Sequence, residues 1–289
     1  MKIFTGIFLL IYFSAQHLSN AQSISETKIF QAEDVRIAEE KLNLFSLKSD
    51  LPIAVLITEI GLSFVETPYV AATLENGLEE KLVINLREMD CTTFAENCLA
   101  ICRTVKSGKT DFQSFAAELE AIRYRDGIRK LYPSRLHYFS EWIHNNHQKG
   151  IVSELSNQKG EHTLRTIHFM STHPASYPVL KANPEIVSII AAQEKRLSSI
   201  DFQYFPRTDL PNLYSNLHHG DIVGLTSCIE GLDINHVGIV IWKNNEFYLL
   251  HASQMGKKVM VGPEPLAEFL KPSSKNSGIM IARPVFYPE

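Results

Sequence analysis

Cysteine is scarce in this sequence, and what there is sits in the wrong places for a disulfide framework. Of four cysteines, Cys91, Cys98 and Cys102 lie seven and four residues apart on what reads as one helix face, where a bridge would be strained. Their spacing matches no zinc pattern either, so Cys98 and Cys102 read as core residues and Cys228 stays uncommitted. Charge of one sign is also lacking. With 28 basic against 32 acidic residues the chain is close to neutral, which argues against a nucleic-acid or polyanion partner. There is no internal repeat and no low-complexity linker. After the N-terminus no stretch is long and apolar enough to cross a bilayer.

The exception is the beginning of the chain. Lys2 precedes the apolar run Ile3 to Phe13, and Ser19-Asn20-Ala21 ends in small residues before Gln22. That order is the pattern of a secretory signal peptide over residues 1–21. No cysteine follows the run, so no bacterial lipid anchor is expected. The mature chain, 22–289, is expected to be periplasmic or secreted and without an integral membrane segment. Its roughly 265 residues suit one domain with an insertion.

Helical patterns come first and strands last. Gln31 to Leu47, Ile53 to Leu62 and Phe112 to Tyr124 carry apolar residues at helical spacing, and Asn183-Pro184 opens a further helix with proline at its first position. Lys149 to Ser176 is polar and poorly periodic. From Gly220 onward the pattern changes to short β-type runs: Asp221–Thr226, Ile234–Trp242, Glu246–Ala252, Lys258–Val261 and Gly278–Arg283. This predicts an α+β fold in which an antiparallel sheet or half barrel follows the helices.

The stretch Asn85-Leu86-Arg87-Glu88-Met89-Asp90-Cys91-Thr92-Thr93-Phe94 reads as a helix start with a cysteine on its first turn. Asp90 is a good N-cap. Phe94, Ala95, Cys98, Leu99, Cys102 and Val105 follow at helical spacing, and Ser107-Gly108 closes the helix. The positive end of the helix dipole favours a thiolate. Two readings are open from this stretch alone, a nucleophile or a half-buried structural cysteine.

A hairpin is expected around Asn244-Asn245, since asparagine tolerates positive φ. In either of two registers it puts His236 and His251 on one face, about 4.5 to 8 Å apart, with Gly238 leaving room beside them. Two such imidazoles can act as a base and the group that orients it. Together with Cys91 they point to covalent catalysis without a metal or cofactor. The competing chemistry is zinc, for which His218, His219, Asp221, His236 and His251 are the candidate ligands. An aromatic and basic patch, Tyr132, Arg135, His137, Tyr138, Phe139 and Trp142, is either an inward-packed helix or a groove wall for sugar or peptide.

Thr67-Pro68-Tyr69, Asp90-Cys91-Thr92-Thr93-Phe94, Gly220-Asp221-Ile222-Val223, His236-Val237-Gly238-Ile239 and Leu250-His251-Ala252 stand in the order seen in NlpC-type, papain-like cell-wall cysteine hydrolases. With Asn85 to Phe94 and Ser134 to Trp142, the chain from about Phe64 onward resembles the N-acetylmuramoyl-L-alanine amidase-like branch, first described as a domain of unknown function. The resemblance implies a papain-like core, the Cys91 helix packed on an antiparallel sheet, with a helical insertion around 110–205. It implies Cys91 as nucleophile, His236 as base and His251 as the orienting residue. Tyr69, Asp90, Thr92, Arg135 and His137 are the candidates for substrate or oxyanion binding. The implied activity is a cysteine amidase acting on peptidoglycan or its muropeptide fragments, at the N-acetylmuramoyl–L-alanine bond. A D-glutamyl–diamino acid endopeptidase would use the same residues. A zinc hydrolase and an inactive wall-binding module remain as readings from other classes. The chain is taken as a monomer. It departs from the wider family in carrying Thr92-Thr93 where Ser-Gly usually follows the Asp-Cys pair, and Glu66 where glycine often precedes Thr67.

Overall fold

A computed structural model describes residues 28–155, 161–163, 165–272 and 275–287. The expected signal peptide, 1–21, lies outside the described residues. In chain order, β1 (Lys28–Ile29), α1 (Ala32–Ser46) and α2 (Ile53–Leu62) precede β2 (Leu82–Val83), α3 (Cys91–Lys106), α4 (Phe112–Arg123) and α5 (Phe139–Gln148). Then come β3 (Val152–Glu154), β4 (Glu161–Thr163), α6 (Pro184–Leu197) and β5 (Phe202–Pro206). The last strands are β6 (Ile222–Ser227), β7 (Ile234–Lys243), β8 (Glu246–Ser253), β9 (Lys258–Pro265) and β10 (Asn276–Pro284). Among the described residues no helix is long and apolar enough to cross a membrane.

The main sheet runs β4-β5-β10-β6-β7-β8-β9, with β3 also paired to β10. Every pairing in it is antiparallel, whereas β1 and β2 form a separate parallel pair. The expected α+β class and mostly antiparallel sheet are therefore present. The segment around 110–205 is not purely helical, because β3, β4 and the start of β5 within it join the sheet. Its polar, aperiodic sequence gives no strand signal, since these strands are short.

Helix α3 is the axis of the core. Phe94, Cys98, Leu99 and Cys102 are completely buried, as their spacing on one stripe requires. The helix packs against α2, α4, β7 and β8. Gly61 on α2 lets that helix come close: a β-carbon there would stand 2.8 Å from Leu250 and 3.3 Å from Phe94. The sheet alternates as its pleat dictates. Val237, Ile239 and Leu250 enter the α3 core, whereas Val223, Val240 and Leu249 enter a second core with Leu213, Leu217 and Leu266.

The β7–β8 turn fixes the register that the site depends on. Asn244 and Asn245 have φ of 53° and 59°, both in the left-handed region that a two-residue type I′ hairpin turn needs. Lys243 pairs with Glu246 and Ile239 with Leu250. Continuing this register puts His251 opposite Gly238, diagonal to His236, which is one of the two registers expected.

Candidate active site

The chain reaches Cys91 along a short braced segment. Met89 donates its N–H to the Pro68 carbonyl (3.0 Å), and Val70 donates to the Met89 carbonyl (3.1 Å). Asp90 then caps α3: its Oδ1 accepts the Thr93 N–H at 2.8 Å, and the Asp90 N–H donates to the Thr93 hydroxyl oxygen at 3.0 Å. This reciprocal pair fixes the first turn and leaves the Cys91 N–H among the unsatisfied donors of a helix start. Asp90 is thus spent on the cap, and that is its place among the substrate-binding or oxyanion candidates. Thr92 follows Cys91 on the first turn, and its N–H and hydroxyl, with the Val237 N–H, act on the thiol in favour of its charged form.

The thiol does not behave as the helix dipole alone suggests. Burial, and next the neighbouring Asp90 carboxylate, push the Cys91 thiol up to about 11, against the lowering effect of the Val237 and Thr92 donors. A dipole contributes about 0.3–1 kcal/mol near a helix end, less than the cost of placing a charge in a largely dry site. At ordinary pH this shift favours the thiol, against the dipole's preference for a thiolate.

His236 and His251 come together as the hairpin requires. His236 Nε2 and His251 Nδ1 are 2.5 Å apart, and the rings meet edge to face with centroids 4.7 Å apart. His251 also stands edge-on to Phe269. Burial first, and then the His251 ring, lower His236 to about 3, while burial lowers His251 to about 4. Both rings are therefore neutral at ordinary pH. Cys91 and His236 line one cleft. Among the described residues no hydrogen bond joins the sulfur to either ring in this state.

The cleft has a volume of ≈ 300 Å³, and its walls include Thr92, Leu136, His137, Phe139, Trp142, Asp233 and Asn235. Phe139 and Trp142 stack with centroids 5.3 Å apart. The aromatic patch in the sequence thus serves both as core and as cleft wall. His137 bonds the Tyr132 carbonyl through Nε2 at 2.9 Å, and burial followed by nearby Arg135 holds it well below the ordinary histidine range. Arg135 itself is not in the cleft. It is 4% exposed, donates to Glu75 Oε1 at 2.6 Å and to the Leu74 carbonyl at 3.3 Å, and covers the Tyr132 ring. Its expected role in substrate binding gives way to holding the 74–75 loop, because a buried guanidinium needs carboxylate partners. Tyr69 is half-buried. Its phenol is raised by burial, then by Cys91 and Asp90, and its backbone is bridged to Met89, two residues before the nucleophile.

One wall residue escaped the sequence reading. Asp233 is 1% exposed, and its Oδ2 accepts the Ser140 N–H (2.7 Å) and hydroxyl (2.9 Å) at the start of α5. It ties the strand carrying His236 to the helix carrying Phe139 and Trp142. A carboxylate three residues before a candidate base was the available signal, but nothing local to it announces a partner 93 residues away. The alternative ligand set is dispersed: Asp221 pairs with Arg283, and His219 accepts from Trp242 N–H and bonds Thr58. Among the described residues no three potential metal ligands cluster. All four cysteines are free, Cys98 and Cys102 in the core and Cys228 exposed.

A family model described as N-acetylmuramoyl-L-alanine amidase-like matches residues 59–279. Among solved structures, an N-acetylmuramoyl-L-alanine amidase from Bacteroides uniformis is 36% identical with a TM-score of 0.76, over 81% of this chain and 99% of its own. A putative xylanase from Bacteroides fragilis is 39% identical with a TM-score of 0.73, over 78% and 99%. A Legionella pneumophila protein at 20% identity and a TM-score of 0.65, over 88% and 96%, shares the fold. No curated protein matches the chain.

Proposed function

Since this chain belongs to the N-acetylmuramoyl-L-alanine amidase-like family, we propose that it is a cysteine hydrolase that cuts the amide bond between N-acetylmuramic acid and L-alanine in peptidoglycan or its fragments. The observation that carries the mechanism is the shared cleft: a cysteine at a helix start, walled by the strand that bears one of two hydrogen-bonded histidines. A nucleophile on a helix, a base on the adjoining strand and an orienting group on the next is a papain-like order of parts. We read the site as such, acting on exported substrate behind the expected signal peptide.

With His236 Nε2–H donating to His251 Nδ1, the His236 Nδ1 lone pair is left for the thiol proton. The sulfur attacks the lactyl carbonyl as that proton moves to His236. Negative charge develops on the carbonyl oxygen, and the free Cys91 N–H at the helix start is placed to receive it. The C–N bond breaks, His236 returns the proton to the departing alanyl amine, and a thioester remains. Water, deprotonated by His236, then releases the muramoyl carboxylate and restores the thiol. Because the resting pair is neutral, the sulfur–imidazole contact forms as substrate arrives and the proton moves, a tightening common between free and loaded active sites.

The cleft's charge favours this bond over the D-glutamyl–diamino acid bond. Among the described residues its walls contain no cation: Arg135 is outside the lining and paired with Glu75, and burial holds His137 well below the ordinary histidine range. The D-glutamyl–diamino acid bond has a carboxylate beside it that such walls give nothing to hold, whereas the muramoyl–alanyl amide has none adjacent. Glycoside hydrolysis, by contrast, needs two carboxylates flanking the bond, and the cleft lining includes one.

Incubation with a defined muropeptide, followed by mass spectrometry of the products, tests the reading. Loss of the whole stem peptide is expected, blocked by thiol alkylation and by Cys91→Ala but not by a chelator. Release of only the distal part would reassign the bond. Full turnover by Cys91→Ala would refute cysteine catalysis.

A further inference from the structure

A second pocket of ≈ 330 Å³ has Phe30, Val70, Ala72, Asn76, Arg87 and Glu88 among its walls, and Val70 and Glu88 are the chain neighbours of the bridged Tyr69 and Met89. Besides Ile29, Phe30 and Gln31, its walls come from the two segments that deliver the site. One is the loop that follows Tyr69, and the other is the stretch running into Cys91. Glu88 precedes Cys91 by three residues, at most about 10 Å of extended chain. Arg135 clamps Leu74 and Glu75 of the same loop, while its neighbours Leu136 and His137 wall the first cleft. Ala72 holds a φ of 57°, a left-handed conformation that costs a non-glycine residue energy.

The pocket contains charge that the fold leaves partly unused. Arg87 gives its Nε to Asp34 Oδ1 at 3.0 Å. Asp34 is fully buried and is also bonded by the Gln31 and Leu86 N–H groups. Among the described residues neither Nη of Arg87 has a protein partner, and the side chain is 29% exposed. Glu33, the other acid near Arg87, is engaged by Arg36. The next residue, Glu88, faces the pocket with no cation partner among the described residues. A guanidinium anchored by a buried carboxylate presents its two remaining amino groups as a fork for a carboxylate, and the free Glu88 suits an ammonium close by.

Resting on the amidase reading above, we propose that this pocket receives the peptide leaving group, with a peptide carboxylate at Arg87 and an ammonium at Glu88, the charge pair that a diamino acid residue presents. The substrate then lies in one direction: the neutral muramoyl side over the first cleft, the charged stem peptide over the Arg87 pocket. Cleavage of muramoyl tripeptides ending in a diamino acid tests this. One substrate has free carboxylates and side-chain amine, and a second has the carboxylates amidated and the amine acetylated. The wild-type protein is expected to favour the charged substrate about tenfold in kcat/KM, mainly through KM, the size of one charge-assisted contact. In Arg87→Gln and Glu88→Gln that preference is expected to fall toward unity, a ratio that does not depend on how much folded protein each variant yields. Equal wild-type activity on both substrates would overturn the proposal and leave the amidase reading standing. Cleavage of neither substrate would refute the amidase reading itself.

Discussion

Cys91 and His236 are both held neutral by burial, and their pH behaviour follows from that. His236 is lowered from 6.5 to about 3, so it stays a competent base as pH falls through the range where an ordinary histidine becomes protonated and fails. The acid limb of kcat/KM is expected well below pH 6.5; a limb at 6.5 would mean that the base is another group or a solvated ring. The thiol is raised from 9.0 to about 11. Alkylation of Cys91 by iodoacetamide without substrate, followed by peptide mapping to separate it from exposed Cys228, is therefore expected to accelerate with pH to a midpoint above 9. A midpoint near neutrality would show a preformed thiolate–imidazolium pair instead.

At the level of single elements, the Asp90 cap serves two ends that a substitution can separate. Asp90→Ala removes the bond to the Thr93 N–H and is expected to cost about 1 kcal/mol of stability. It also removes the carboxylate that raises the Cys91 thiol, so the alkylation midpoint moves down. Lower stability with an unchanged midpoint would show that burial alone sets the thiol. The segment before Tyr69 carries strain of another kind. Glu66 has a φ of 78°, and its exposed ion pair with Lys258 is worth about 0–1 kcal/mol. Glu66→Gly relieves a left-handed conformation costing about 1–2 kcal/mol, so the net expectation is a small rise in Tm, against which an unchanged or lower Tm would count. The five strands after Gly220, the Cys91 helix and the Asn244-Asn245 turn were legible because each is specified by neighbours in sequence: an apolar period, a capping residue, a residue tolerant of positive φ. The fates of Arg135 and Asp233 were not, because their partners lie 60 and 93 residues away.

Across the whole molecule, buried charge joins elements that the chain keeps far apart. Arg123 on α4 donates to Glu96 Oε2 on α3 at 2.7 Å and to the Val83 carbonyl of β2 at 2.6 Å, while Trp142 on α5 donates to Glu96 Oε1 at 3.2 Å. Both members of the pair are about 2% exposed. Arg123→Ala leaves Glu96 buried and unpaired, and is expected to cost about 3–5 kcal/mol. Replacing both members with apolar residues of similar volume is expected to cost far less, and comparing the two by urea denaturation isolates the unpaired charge. The buried histidines add a pH dependence. His251, at 4% exposed, is lowered to about 4, so below pH 6.5 the unfolded chain binds a proton that the folded chain refuses. Its contribution to stability is intact above pH 6.5 and falls by about 1.4 kcal/mol per pH unit toward pH 4. His251→Phe is expected to flatten that acid slope.

By itself the sequence determined the order of helices and strands, the helix start that presents Cys91 and the hairpin face that pairs two histidines, because periodicity, caps and turns act over a few residues. Tertiary structure decided the protonation of the thiol and the rings, the withdrawal of Arg135 from the cleft and the pocket at Arg87. Those depend on how completely distant segments exclude water around a charge, and desolvation is a property of the assembled fold.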